Sequence, residues 1–131
     1  MKQTSTAVWV IDDDRVFQFT AGRLIQSISP GREVAVFQNG AEALKKLHEA
    51  IATGGILPGI LLLDINMPVI DGWQFLDAYE KIDRRHTGAT AVYILTSSAD
   101  PEDVERSRGY HTVRGYLVKP VIKERLAGVL G

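Results

Sequence analysis

The sequence predicts a parallel α/β fold, a five-stranded sheet with helices on both faces, and three observations carry that prediction. Short apolar runs alternate with longer amphipathic ones along the whole chain. The short runs are continuous rather than apolar/polar alternations, which marks strands covered on both faces. No linker, low-complexity tract or internal repeat breaks the order, so residues 1–131 read as a single domain. A chain of this length can bury roughly two-thirds of its unfolded surface.

The elements follow in order. Val8–Ile11 is the first strand, and Phe17, Leu24, Ile25 and Ile28 then recur at near-helical spacing. Val34–Phe37 is the second strand, after which Asn39 can cap a helix carrying Ala43, Leu44 and Leu47. Ile60–Leu63 is the third strand, and Asp71-Gly72 opens a helix with Phe75, Leu76 and Tyr79. Ala91–Leu95 is the fourth. Asp100-Pro101-Glu102 then starts a helix with a cap residue, Pro in the first turn and acid at the positive dipole end. Gly115–Val118 is the fifth strand, and Pro120 opens the last helix. Strict alternation with right-handed crossovers favours the doubly wound, flavodoxin-like strand order 2-1-3-4-5 with five helices. Trp9 and Trp73 read as packing residues, and Trp73 lies close enough to the third strand end to report on it.

Bulk properties remove several functional classes. A formal net charge of −1 gives no general attraction to nucleic acid or to an anionic membrane. The one basic cluster, Arg84-Arg85-His86, reads as a solvated helix end. The absence of cysteine excludes disulfides and thiolate metal sites and fits a reducing compartment. No apolar stretch approaches the ~20 residues needed to span a bilayer. The start, MKQTSTAV, has no apolar core and is not a secretory signal, so a cytoplasmic protein is expected.

Ligands of such sheets bind outside the carboxyl ends of the strands, at the switch point between strands 1 and 3. Strand 1 ends in Asp12-Asp13-Asp14, strand 3 in Asp64, strand 4 in Thr96-Ser97 and strand 5 in Lys119-Pro120. A lone polar residue at a strand end is ordinarily where the chain meets solvent. Four strand ends supplying complementary chemistry on one edge are a different matter. Carboxylates a few ångströms apart repel, so they call for a divalent cation. Oxygen donors without His or Cys point to Mg²⁺ or Mn²⁺ ahead of Ca²⁺. A lysine and a hydroxyl opposite such a cation suit a phosphoryl group.

An acidic pair after strand 1, Asp-x-x-Met-Pro-x-x-Asp-Gly after strand 3, Thr after strand 4 and Lys-Pro after strand 5 together resemble a response regulator receiver domain of two-component signalling. Here these are Asp12-Asp13, Asp64 to Gly72, Thr96 and Lys119-Pro120, and the resemblance covers the whole chain. It implies a signalling phosphoacceptor rather than an enzyme, with self-phosphorylation and slow self-dephosphorylation at most. Asp64 would take a phosphoryl group from a sensor histidine kinase or a His-phosphotransfer protein. Asp12, Asp13, Asp64 and the backbone carbonyl of Asn66 would hold Mg²⁺, or Mn²⁺ in its place. Lys119 and Thr96 would bind the phosphoryl oxygens, with Thr96 and Tyr116 acting as the switch. The changed surface would be the helix 4–strand 5–helix 5 face, read by a downstream protein partner. The resemblance also implies a cis Lys119–Pro120 bond and a monomer or weak dimer. Asn66 and Ser98 occupy positions that tune dephosphorylation in the family, and Met67, Pro68, Gly72 and Pro120 would shape loops rather than react.

Two segments depart from the family pattern. IATGGILPG, before strand 3, is longer than usual and suggests a surface-loop insertion. SRGYHTVRGY, before strand 5, lacks the small Gly-Ala pair often seen there, which leaves the shape of the signalling face open. Asp14 reads as a helix cap, and His48, His86 and His111 as surface residues without metal-like spacing. Two rival readings stand beside the main one. A haloacid-dehalogenase-type phosphatase would use Asp12 as nucleophile and Asp14 as acid/base, but it needs an acidic pair after the lysine, where only Glu124 follows. A receiver-fold binding module could signal without phosphorylation, though such domains usually lose the acids, Thr or Lys.

Overall fold

The computed structural model describes residues 6–67, 69–97 and 100–131. Five strands, β1 (Val8–Ile11), β2 (Val34–Phe37), β3 (Ile60–Asp64), β4 (Ala91–Thr96) and β5 (Val113–Val118), form one parallel sheet in the order β2-β1-β3-β4-β5. Helices α1 (Arg15–Ile28), α2 (Gly40–Ala52), α3 (Gly72–Tyr79), α4 (Arg84–Thr87), α5 (Pro101–Ser107) and α6 (Lys123–Leu130) connect and cover it. Register aligns Val8 with Val34 on one side and Ile60 on the other, so β1 and β3 end side by side. That alignment brings Asp12 and Asp64 together.

Continuous apolar strands mean two cores, and the structure has two. Along β3, where every residue is buried, Leu61 and Leu63 face the α2–α3 side with Ile11, Phe75, Leu76 and Tyr79. Ile60 and Leu62 face the other side with Val8, Val10, Ile25 and Leu126, under α1 and α6. Helix starts are fixed locally. Asn39 accepts the Glu42 N–H, and Asp71 forms a reciprocal capping box with Gln74. Asp100 accepts the Glu102 N–H ahead of a helix with Pro in its first turn.

Four features differ from the expectation. There are six helices rather than five among the described residues. The extra one, α4, is a single turn capped by Asp83, whose carboxylate accepts the Arg85 N–H. One turn is too short to show a helical period. The last helix opens at Lys123 rather than Pro120: Ile122 is extended (φ −88°, ψ 152°) and acts as its N-cap without a side-chain hydrogen bond. The segment before β3 is not simply a surface insertion, because Leu57 and Pro58 are buried and the Pro58 carbonyl accepts the Thr90 hydroxyl at 2.8 Å. Of the three histidines His48 and His111 are exposed, whereas His86 is half-buried. No helix among the described residues is long and apolar enough to cross a membrane.

Candidate functional site

The site is assembled from four strand ends. Asp12 extends the ladder past β1, donating its backbone N–H to the Phe37 carbonyl at 3.0 Å, and this drives its carboxylate into the protein, fully buried. One oxygen, Oδ1, accepts the Asp14 N–H at 2.9 Å. The other, Oδ2, has no aligned hydrogen bond among the described residues; its partner is the Lys119 ammonium, 2.5 Å away, as an ion pair. Asp13 is exposed. Asp14 caps α1, accepting the N–H groups of Val16 and Phe17 at 2.9 and 3.3 Å. Three adjacent acids thus take three roles: buried ion-pair partner, open carboxylate and helix cap.

Asp64 closes β3 and is 6 % exposed, with Oδ1 accepting the Asn66 N–H at 3.0 Å. Behind it the chain must turn tightly into α3. Gly72 makes that possible: a Cβ there would sit 2.6 Å from the Ile65 Cα and 2.8 Å from the Asp64 carbonyl oxygen, both backbone atoms. Between them Met67 is buried, and Val69 takes a left-handed φ of +71°, unfavourable for a β-branched residue. Pro68 and Ser98 lie outside the described residues.

Lys119 follows β5, its N–H donating to the Thr96 carbonyl at 2.7 Å, and the Lys119–Pro120 peptide is cis. Its Nζ lies 3.5 Å from Asp64 Oδ2 and over the Phe17 ring, 4.6 Å from the centroid. Thr96 is buried at the end of β4, and half-buried Tyr116 shares with it a small gap also bounded by Ile94, Val104 and Ser107.

The electrostatics follow from burial and crowding. Burial is the main cause that pushes the Asp64 carboxyl above the ordinary carboxylate range. The Asp12 charge adds to it, against the Asn66 N–H and the Lys119 charge. For Lys119 burial works against the ammonium, but the close carboxylates of Asp12, then Asp64, outweigh it and leave its pKa raised. The carboxylates of Asp12, Asp13 and Asp64 come within 4.8 Å of one another. Three acids against one lysine leave an excess of negative charge held by oxygen donors. That donor set suits a hard divalent cation. Sequence reasoning missed two residues here, Phe17 under Lys119 and Gln18, whose side-chain N–H donates to the Asp12 carbonyl at 2.6 Å. Phe17 reads only as a helix position and Gln18 carries no signal, since neither contact leaves a mark in the spacing.

With this geometry in place, residues 8–130 match the family described as the response regulator receiver domain. The chain belongs to that family. A two-component response regulator from Cytophaga hutchinsonii superposes with a TM-score of 0.86 at 30% identity, covering 97% of this chain and 95% of that one. PilG of Pseudomonas aeruginosa is 30% identical over 123 residues, 94% of this chain and 83% of PilG. The DNA-binding transcriptional regulator NtrC of Escherichia coli is 35% identical over 113 residues, 86% of this chain; the match spans only 21% of NtrC's length. The Mn²⁺-bound form of response regulator Rcp1 shares the fold, with a TM-score of 0.69 at 23% identity over 95% of this chain and 88% of that one. The protein is therefore a receiver domain of two-component signalling.

Proposed function

We propose that Asp64 accepts a phosphoryl group from a phosphohistidine of a sensor kinase or a His-phosphotransfer protein. The observation that carries this reading is a buried carboxylate, grouped with Asp12 and Asp13 within 4.8 Å, that faces a lysine ammonium at 3.5 Å. Asp12, Asp13, Asp64 and the Asn66 carbonyl are the residues that would hold Mg²⁺ or Mn²⁺. Such a cation would supply charge neutralisation while two anions meet. The remaining chemistry belongs to the chain. An Asp64 oxygen attacks phosphorus, an O–P bond forms, and the P–N bond breaks with its electron pair left on the imidazole nitrogen. The Asn66 N–H, on Oδ1, holds the carboxylate plane for in-line approach. Lys119, which lies 2.5 Å from Asp12 and 3.5 Å from Asp64, turns from Asp12 toward the phosphoryl oxygens.

Thr96 then hydrogen-bonds the phosphoryl group, and Tyr116 moves into the gap that both residues line. The surface altered by this is α5–β5–α6, which a downstream protein reads as a population shift. The phosphatase reading is disfavoured by Asp14, which is occupied as a helix cap and stands outside the carboxylate group.

The test is incubation with acetyl phosphate and Mg²⁺, which should add roughly 80 Da, one phosphoryl group. EDTA and Asp64→Asn should each abolish the gain. Labelling that persists in Asp64→Asn and vanishes in Asp12→Asn would overturn the assignment, and no labelling by any phosphodonor would favour a module that signals without phosphorylation.

A further inference from the structure

We propose that Phe17 is a positioning residue for Lys119, its ring face holding the ammonium where it can serve Asp64. The inference rests on the phosphoacceptor reading above. Among the described residues Lys119 Nζ lies against Asp12 Oδ2 at 2.5 Å, Asp64 Oδ2 at 3.5 Å and the Phe17 ring at 4.6 Å. The ammonium rests on Asp12, the closer and fully buried carboxylate, with the ring face as a further contact that keeps it within reach of Asp64. An aromatic face attracts a cation without taking up its N–H donors, so it offers a third point of support that leaves those donors free for phosphoryl oxygens.

The ring is itself fixed. Phe17 lies in the first turn of α1, where its own N–H is held by the Asp14 cap at 3.3 Å. The next residue, Gln18, ties that turn to the Asp12 carbonyl at 2.6 Å. The order of support runs from Asp14 to the first turn of α1, to the Phe17 ring, to Lys119. Asp14 then has a part in the site without touching a ligand there. Phe17 also borders a cavity of about 230 Å³ lined by Leu24, Leu62 and Leu126, so a larger ring can be seated in its place.

The experiment compares Phe17→Leu, Phe17→Tyr and Phe17→Trp by two readouts. The first is the NMR shift of the Lys119 ε-methylene protons, which a ring face moves upfield. The second is the initial rate of phosphorylation by acetyl phosphate with saturating Mg²⁺. In Phe17→Leu the upfield shift should vanish and the rate should fall roughly three- to tenfold, the range a partly desolvated cation–π contact supports. Tyr and Trp should restore both. Phe17→Met serves as a second apolar variant should Leu unfold the protein. An unshifted Lys119 in the wild type, a Leu variant as fast as wild type, or aromatic variants as slow as Leu would each overturn the proposal. Failure of the wild type to label on Asp64 would instead sink the phosphoacceptor reading, and the methylene shift would still decide where Lys119 rests.

Discussion

Two regions of this molecule handle charge in opposite ways. At the strand ends, three carboxylates crowd within 4.8 Å and two of them meet one lysine, Asp12 Oδ2 is buried without an aligned hydrogen bond among the described residues, and Val69 is held at a positive φ. Between α3 and the segment leading into β5, unlike groups are paired. Glu80, at the end of α3, accepts the N–H and the hydroxyl of Thr112 and lies 3.0 Å from His111 Nδ1. Tyr110 donates its hydroxyl to Asp77 at 2.8 Å and stacks on Trp73, over which the Arg106 guanidinium sits 4.5 Å from the ring centre. The first region holds repulsion and strain, and the second holds complementary contacts. The same clamp joins α5 to α3, whose first turn packs against the backbone of Asp64 and Ile65.

The largest effect is expected from breaking the clamp. Glu80→Leu removes the acceptor of the half-buried Thr112 N–H, and stranding such a donor costs about 2–3 kcal/mol. Urea unfolding should show this as a lower midpoint with an unchanged slope. Glu80→Gln keeps an acceptor and should lose about half as much. A Leu variant as stable as wild type would mean that the clamp contributes nothing.

Neutralising the site should act in the other direction. Asp64→Asn, in EDTA at pH 7, is expected to raise the unfolding midpoint by a few degrees, about 1 kcal/mol. The sign follows from burial, which raises the Asp64 carboxyl pKa in the folded protein above that of an ordinary exposed carboxylate. The folded state then holds the proton longer than the unfolded state. The penalty sets in as pH rises through the unfolded pKa and is complete above the folded one. Calorimetry at pH 7 and near pH 3 should therefore show the advantage of Asn at the higher pH and its disappearance at the lower. An advantage independent of pH would exclude charge as its cause. Mg²⁺ should narrow the gap by stabilising the wild type through binding.

Much of this was legible in the sequence, for a physical reason. Strand ends such as Asp64 and Lys119 are fixed by continuous apolar runs that can lie only in a covered parallel sheet, and the topology then brings them together. Asp14, Asn39, Asp71 and Asp100 were legible as caps because capping is local. What depends on tertiary contact was not. The helical turn at Arg84–Thr87 has only Thr87 buried, so it shows no period. Leu57 and Pro58 sit in a Gly-rich stretch that reads as loop and yet is buried. The unusual segment before β5 raised doubt about the signalling face. It is Tyr110-His111-Thr112 within it that reaches Asp77 and Glu80, residues more than 30 positions away. Phe17 under Lys119 was hidden for the same reason.

The smallest expected effect sharpens the contrast at a single backbone position. Val69 is 75 % exposed at φ +71°, so its side chain contributes little packing while its backbone is unfavourable. It lies between buried Met67 and the Asp71–Gln74 capping box that starts α3. Val69→Gly removes the steric penalty of roughly 1–2 kcal/mol but adds freedom to the unfolded chain. A net gain of about 0.5–1 kcal/mol should remain, read as a higher urea midpoint. Val69→Asn, which tolerates the left-handed region while restricting the unfolded chain more than Gly, should gain at least as much. A loss in both variants would mean that the valine side chain makes a stabilising contact, and the site would then hold its strain in its charges alone.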